Sequence, residues 1–298
     1  MQREASISQL TTGRSVLVND ARAVRRKLFD HLMFGAVILC AALGVAVLAI
    51  ILLDVFMKGV AALNPAFFTE RPLPLGDAGG GVAPAIIGTL MMLGVAALIG
   101  APIGIGTAIY LAEYGRGRFA STVSYTIDML AGVPSIVVGV FVWAVVVRNV
   151  FGAFSGLAGG IALALIMIPI ITRTVEEMLR LVPDTYREAA LGMGVSRAKT
   201  IMYVVIPTAK GGIVTGIILA VARAGGETAP LVLTALGNQF FNFDLRQPMA
   251  ALPLQIYSYA SSPYDDWHTK AWGSALVLIL VIGLLSALTR YATRQRFG

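Results

Sequence analysis

Arg223 and Glu227 are the only charged residues in the apolar stretch 211–236, and they stand four positions apart. On a helix that spacing puts both on one face. A guanidinium offers five N–H donors in a planar fork that fits the oxygens of phosphate or sulfate. A carboxylate beside it can hold the fork when no anion is present, and can accept a hydrogen bond from a protonated oxyanion. Phosphate carries such a proton at neutral pH and sulfate does not. The competing reading is an ion pair that only neutralises both charges. Gly225, Gly226 and Pro230 loosen the same stretch; loosened backbone at membrane depth is tolerated where it lines a cavity or is buried in protein. A helix beginning near Gly211 puts Arg223 about 18 Å along, at ~1.5 Å per residue, near the middle of a ~30 Å hydrocarbon core. Ionisable groups at that depth are expensive and by default mark a path. Thr228, next in the chain, is counted with them.

A second set is weaker. Gly132-Val133-Pro134-Ser135 interrupts another apolar stretch, where Pro134 kinks the helix and Ser135 offers a hydroxyl. Asp128, seven residues earlier, is expected on the same face, and small residues there also suit plain helix packing. Asp128 could instead balance Arg173, which ends a further apolar run and is carried as a path candidate or an interfacial anchor.

The elements that position these residues follow from composition. Of 298 residues 57% are hydrophobic and 13% charged, about half the charge of a soluble domain, so lipid is the expected solvent. Runs 32–53, 78–112, 129–147, 149–172 and 271–289 carry no charge, and 211–236 carries only the pair above. Each approaches the ~20 residues needed to cross the hydrocarbon, so the expected fold class is an all-α membrane protein with six transmembrane helices. The first run is longer than the core of a cleaved signal and is read as a retained span. Seventeen of the 23 Lys and Arg fall in 1–31, 113–120, 173–210 and 290–298, against five in the alternate segments, which places both termini in the cytoplasm. Tyr257, Tyr259, Tyr264, Trp267 and Trp272 then sit where an outer interfacial belt belongs. The expected organisation is a basic tail 1–31 without clear helical periodicity, save a short helix near Ala21 to Leu28. A first transmembrane helix 32–56 follows, then an outer loop 57–82, a five-helix domain 83–290 with a cytoplasmic loop 173–210, and a C-terminal segment 291–298.

Several chemistries are excluded. Cys40 is the single cysteine and the two histidines, His31 and His268, are far apart, so no disulfide and no His/Cys metal centre is expected. No Gly-Lys dipeptide occurs, hence no phosphate-binding P-loop, and no catalytic constellation can be assembled. The chain is read as no enzyme and as holding no cofactor. A bilayer explains the net charge of +7 better than nucleic acid does.

The loop 173–210 holds the remaining signal. Pro183 breaks an amphipathic segment from Val175 to Leu181, and Asp184 or Thr185 can cap a helix from about Tyr186. Gly192 and Gly194 weaken that helix, and a third stretch from Ser196 is expected to end at Pro207. A short helix of small residues before a glycine hinge suits insertion into a partner's groove; lying on the bilayer surface is the plainer alternative.

This loop resembles the EAA motif of the type I ABC importer permease (MetI-like) family, which reads Glu-Ala-Ala, three residues, Gly, nine residues, Ile, one residue, Leu-Pro. Here Glu188-Ala189-Ala190, Gly194, Val204 and Ile206-Pro207 keep that spacing, with two aliphatic exchanges. Arg223-Ala-Gly-Gly-Glu-Thr-Ala-Pro-Leu resembles the phosphate-specific branch, and its PstA-type subunits better than the PstC-type paralogue. The stretches 67–90, 108–115, 131–139, 168–179 and 251–261 agree, so the likeness covers about residues 30–290. The resemblance implies a type I importer permease fold in the bacterial inner membrane. It implies alternating access of inorganic phosphate, driven by ATP and Mg bound in two separate ATPase subunits. Further implied partners are a homologous PstC-type permease, an extracytoplasmic phosphate-binding protein and membrane lipid. Residues 188–207 would be the coupling surface. A permease for another oxyanion or small solute, an ATP-independent carrier, and a sensing scaffold are the alternatives.

Overall fold

The computed structural model describes residues 2–74 and 79–294, with side chains described over 24–74 and 79–291. The last residues of the expected C-terminal segment 291–298 therefore lie outside the described residues. Residues 1–56 and 57–298 form two separate units. Apart from one isolated bridge between Leu236 and Met249, the described residues hold helices and their connections.

The first unit lies within helix α1, Gln2–Val60. Its start corrects the expected tail: the helix is continuous through 2–31 rather than confined to 21–28. The stretch has one glycine and no proline, and intrinsic propensity sustains a helix there. Between 32 and 53 its large apolar side chains are exposed, among them Leu32, Phe34, Leu43 and Ile50, as a segment solvated by lipid requires.

The second unit is built on α3 (Ala83–Ile109), α6 (Gly156–Arg180) and α9 (Ile206–Gly225). Gly100 and Gly104 let α3 lie directly on α6, where a Cβ on Gly104 would come within 2.9 Å of Ile171. Gly160 returns the contact, with Val95 at 2.6 Å from the position its Cβ would take. Small residues at such crossings let the backbones approach. Met92, Leu163, Met167, Ile171 and Val175 fill the core between them. A short helix α2, Pro65–Thr69, precedes α3 and buries Phe67.

Between α3 and α6 the chain forms α4 (Gly117–Gly132) and α5 (Ser135–Val142), with a π-helical extension Trp143–Phe151. The two are bent by 104°. Pro134 lacks a donor and forces Val133 into extended backbone, φ −70° and ψ 129°. This corrects one expectation: Asp128 and Ser135 flank the bend and do not share a helical face.

After α6 come α7 (Asp184–Gly192) and α8 (Arg197–Thr200), and a π turn Ile201–Val205 that runs straight into α9. Pro207 does not end this helix, as expected, but starts α9. The wider turn before it, with Ile206 N–H bonded to Ile201 C=O, makes room for a residue without a donor. Nor do Asp184 or Thr185 cap α7; Pro183 stands at that position and no side chain caps the helix. Short α10 (Ala229–Thr234), an irregular return through 236–250, and the hairpin of α11 (Leu252–Ala260) and α12 (Asp265–Arg294) complete the chain. Tyr259 stacks on Trp267 at 4.8 Å at the turn of that hairpin.

Among the described residues five helices are long and apolar enough to cross a membrane, and the bent pair α4–α5 makes six when counted as one span. The expected fold class and span number hold. The fifth span is displaced: its helical run is Arg197–Gly225, so Arg223 sits in the last turn of the run and not at its middle.

Candidate functional site

The break between α9 and α10 is encoded locally. Gly225 and Gly226 have poor helix propensity, and Pro230 cannot donate to a continuing ladder. Gly225 also lies tightly on α12, with Ile282 2.9 Å from where a Cβ would be. Glu227 falls in the break and folds back to form an ion pair with Arg223. The partners differ sharply: the Arg223 side chain is 61% exposed and that of Glu227 only 7%. Arg223 donates to Glu227 through Nη1 alone, and its other N–H groups meet no acceptor among the described residues. Its position at a helix C-terminus favours the positive charge. An exposed fork anchored on one side by a buried carboxylate can take up further oxygens.

Thr228 precedes α10, and Ser135 opens α5. These two helices pack closely, with a Cβ on Gly139 falling 2.7 Å from Pro230 Cα. The structure thus sets the Ser135 helix beside the Thr228 helix.

Arg173 is situated differently. Its Nε donates to Asp128 Oδ1 at 2.8 Å and Nη1 to Glu176 Oε2 at 2.7 Å. Nη2 reaches Ser124 O at 2.8 Å, Ser124 Oγ at 2.7 Å and Asp128 Oδ2 at 2.6 Å. Arg180 donates to the other Glu176 oxygen at 2.8 Å. The pairing of Asp128 with Arg173 anticipated from the sequence is present. It ties α4 to α6 and uses every nitrogen of the guanidinium.

The third group surrounds α7. Glu188 and Ala189 are exposed and Ala190 is buried, so one face of the helix is presented outward, with Tyr186, Leu191 and Met193 beside it. Gly194 has φ +82°, a conformation other residues resist, and it ends the helix with a sharp turn. Val204 and Ile206 are half-buried beneath it and Pro207 is exposed. Three residues absent from the sequence-based list organise this end. Arg187 binds Glu113, which lies in the π turn Tyr110–Tyr114 closing α3, at 2.7 Å through Nη2 and 3.1 Å through Nε. Arg197 donates to the Glu113 carbonyl and covers the Tyr114 ring at 5.0 Å. The hydrogen bonds to Glu113 hold the Arg187 guanidinium above its ordinary pKa, against a smaller opposing effect of burial. Glu113 and Arg187 lie 74 positions apart, so no local spacing pointed to them.

A bundle of apolar spans, two of them broken, with a short solvent-exposed helix between two spans defines a multi-pass membrane protein. Residues 100–295 match the family of binding-protein-dependent transport system inner membrane components, and the chain belongs to that family. It is 44% identical over 266 residues, 89% of this chain and 94% of the relative, to the phosphate transport system permease protein PstA of Haemophilus influenzae. To the protein of that name from Yersinia pestis it is 46% identical over 241 residues, 80% of this chain and 81% of the relative. To PstA 1 of Mycobacterium tuberculosis H37Rv it is 45% identical over 222 residues, 73% and 72% of the two chains. Among solved structures, an inward-facing conformation of the MetNI methionine ABC transporter matches with a TM-score of 0.57 at 20% identity, covering 71% of this chain and 92% of that one. That likeness establishes the fold as one used by ABC importer permeases.

Proposed function

We propose that this chain is the PstA-type permease subunit of an ATP-driven importer of inorganic phosphate in a bacterial inner membrane. The observation that carries the substrate is the 44% identity to a phosphate permease across nearly the whole of both chains. The geometry at the α9–α10 break supports it, because an exposed guanidinium beside a buried carboxylate suits a protonated tetrahedral oxyanion. Arg223 is the anion-contacting group, Glu227 its anchor and the hydrogen-bond acceptor for the anion's O–H, and Thr228 and Ser135 are hydroxyl donors on adjoining helices. Arg173 and Asp128 act as a strut that keeps α4 on α6.

Both termini face the cytoplasm, as does α7. The exposed face of α7 at Glu188 and Ala189, together with the Gly194 turn and the segment Val204, Ile206 and Pro207, docks on an ATPase subunit that binds ATP and Mg. A PstC-type permease supplies the other half of the path, and an extracytoplasmic binding protein delivers phosphate. Closure of the ATPase pair moves α7 and so opens the path to alternate sides. No chemical step falls to this chain.

The test is uptake of labelled inorganic phosphate into vesicles containing this chain, its partner permease, the ATPase and the binding protein. ATP-dependent uptake that excess sulfate leaves unchanged is the expected result. Uptake abolished by sulfate reassigns the substrate to another oxyanion, and uptake indifferent to ATP makes the chain a secondary carrier.

A further inference from the structure

The docking helix α7 is joined to α6 by three residues, 181–183, and to α9 through α8 and the π turn. Both links are covalent and short. Its link to α3 is of another kind, because Glu113 and Arg187 are separated by 74 positions. Side chains make that link, and its geometry is unusually complete. Arg187 Nη2 donates to Glu113 Oε1 at 2.7 Å and to Leu179 O at 2.9 Å. Its Nε is shared between the two Glu113 oxygens at 3.1 and 3.3 Å. Nη1 donates to Val182 O at 2.5 Å and to Asp184 Oδ1 at 3.2 Å. All five N–H groups of the fork are engaged, and the two carbonyls lie at the end of α6 and in the link that follows it. The Glu113 side chain is 5% exposed, so its charge is tolerable only with this partner. The Glu113 backbone carbonyl is held in turn by Arg197 of α8. One residue at the end of α3 is thus gripped by both short helices of the docking segment.

We propose that Glu113, Arg187 and Arg197 form the joint through which movement of α7 is carried into α3. They are positioning residues: none touches the transported anion, and each acts through the helices it binds. The proposal rests on the docking role of α7 given above. Since α3 lies on α6 at Gly100 and Gly104, a firm joint makes α3, α6 and α7 swing together, whereas a slack one lets α7 tilt without carrying α3. Two charged forks are suited to this because their geometry is directional, unlike an apolar contact that allows sliding.

The experiment uses the complete complex in vesicles, with labelled inorganic phosphate. Glu113→Gln keeps the side-chain shape and removes the charge; Arg187→Lys keeps the charge and removes the fork. Three quantities are read for each: co-purification of the ATPase, ATP hydrolysed, and phosphate taken up per ATP. Both variants are expected to assemble and hydrolyse ATP near the wild-type rate, while phosphate per ATP falls about tenfold. The double variant Glu113→Gln/Arg187→Lys is expected to lose no more than the worse single one, as for one shared joint. Unchanged phosphate per ATP in assembled complexes overturns the proposal. Loss of ATPase association in both single variants also overturns it, by making the pair a prop for docking rather than a transmission. Wild-type uptake that ignores ATP contradicts the docking role itself, and the joint with it.

Discussion

Arg173 and Arg223 are both arginines in or beside apolar spans, and their surroundings assign them opposite work. Arg173 spends its nitrogens on Asp128, Glu176 and Ser124, whereas Arg223 is held at one nitrogen by Glu227 and is otherwise exposed. An anion competing for Arg173 must displace two carboxylates; at Arg223 it adds to an open fork. On the proposed function, selectivity falls to Glu227. A fixed carboxylate accepts a hydrogen bond from the O–H of hydrogen phosphate and repels sulfate, so Glu227→Gln is expected to let sulfate compete at least about tenfold better, measured as inhibition of labelled phosphate uptake. Unaltered sulfate inhibition would reduce Glu227 to a counter-ion. The Arg223–Glu227 and Asp128–Arg173 pairs were legible in the sequence, the first from helical spacing and the second from charge balance. Glu113 with Arg187 was not, because an ion pair across 74 positions leaves no periodic trace.

At the scale of elements, the breaks matter more than the helices. Pro134 turns α4 from α5, and Gly225, Gly226 and Pro230 part α9 from α10. The two broken spans meet at Gly139 and Pro230, where a Cβ on Gly139 would fall 2.7 Å from Pro230 Cα. Gly139→Ala is therefore expected to force α5 off α10 and to cost about 1–3 kcal/mol, seen as a lowered Tm of the purified complex; an unchanged Tm would mean the crossing yields freely. The Gly194 turn is the other sensitive point. With φ +82° there, Gly194→Trp is expected to misdirect the exposed face of α7, so that the chain still inserts but no longer retains the ATPase in a pull-down. The sequence marked each of these breakers correctly. It misjudged what they do at Pro207, where a π turn absorbs the proline, and it missed the helix through 2–31, a stretch with one glycine and no proline.

On the scale of the whole molecule, the six spans were readable because uncharged runs of about twenty residues have few alternatives to crossing a bilayer. The start of the fifth span was not, since 197–210 is helical yet polar enough to pass for loop. Orientation rests on the distribution of Lys and Arg. In a variant with Cys40→Ser, a cysteine introduced by Lys199→Cys is expected to react only from the cytoplasmic side, and one introduced by Gln239→Cys only from outside; the reverse pattern would invert the topology. On the proposed function this chain contributes an anion site at Arg223 to a phosphate path. Its most direct test is ATP-driven uptake of labelled phosphate by vesicles holding the Arg223→Gln complex beside wild type, with complex assembly measured in the same preparations. The expected result is uptake reduced by at least about tenfold with assembly unchanged. Wild-type uptake by the assembled variant would contradict it and leave Arg223 as half of a structural ion pair.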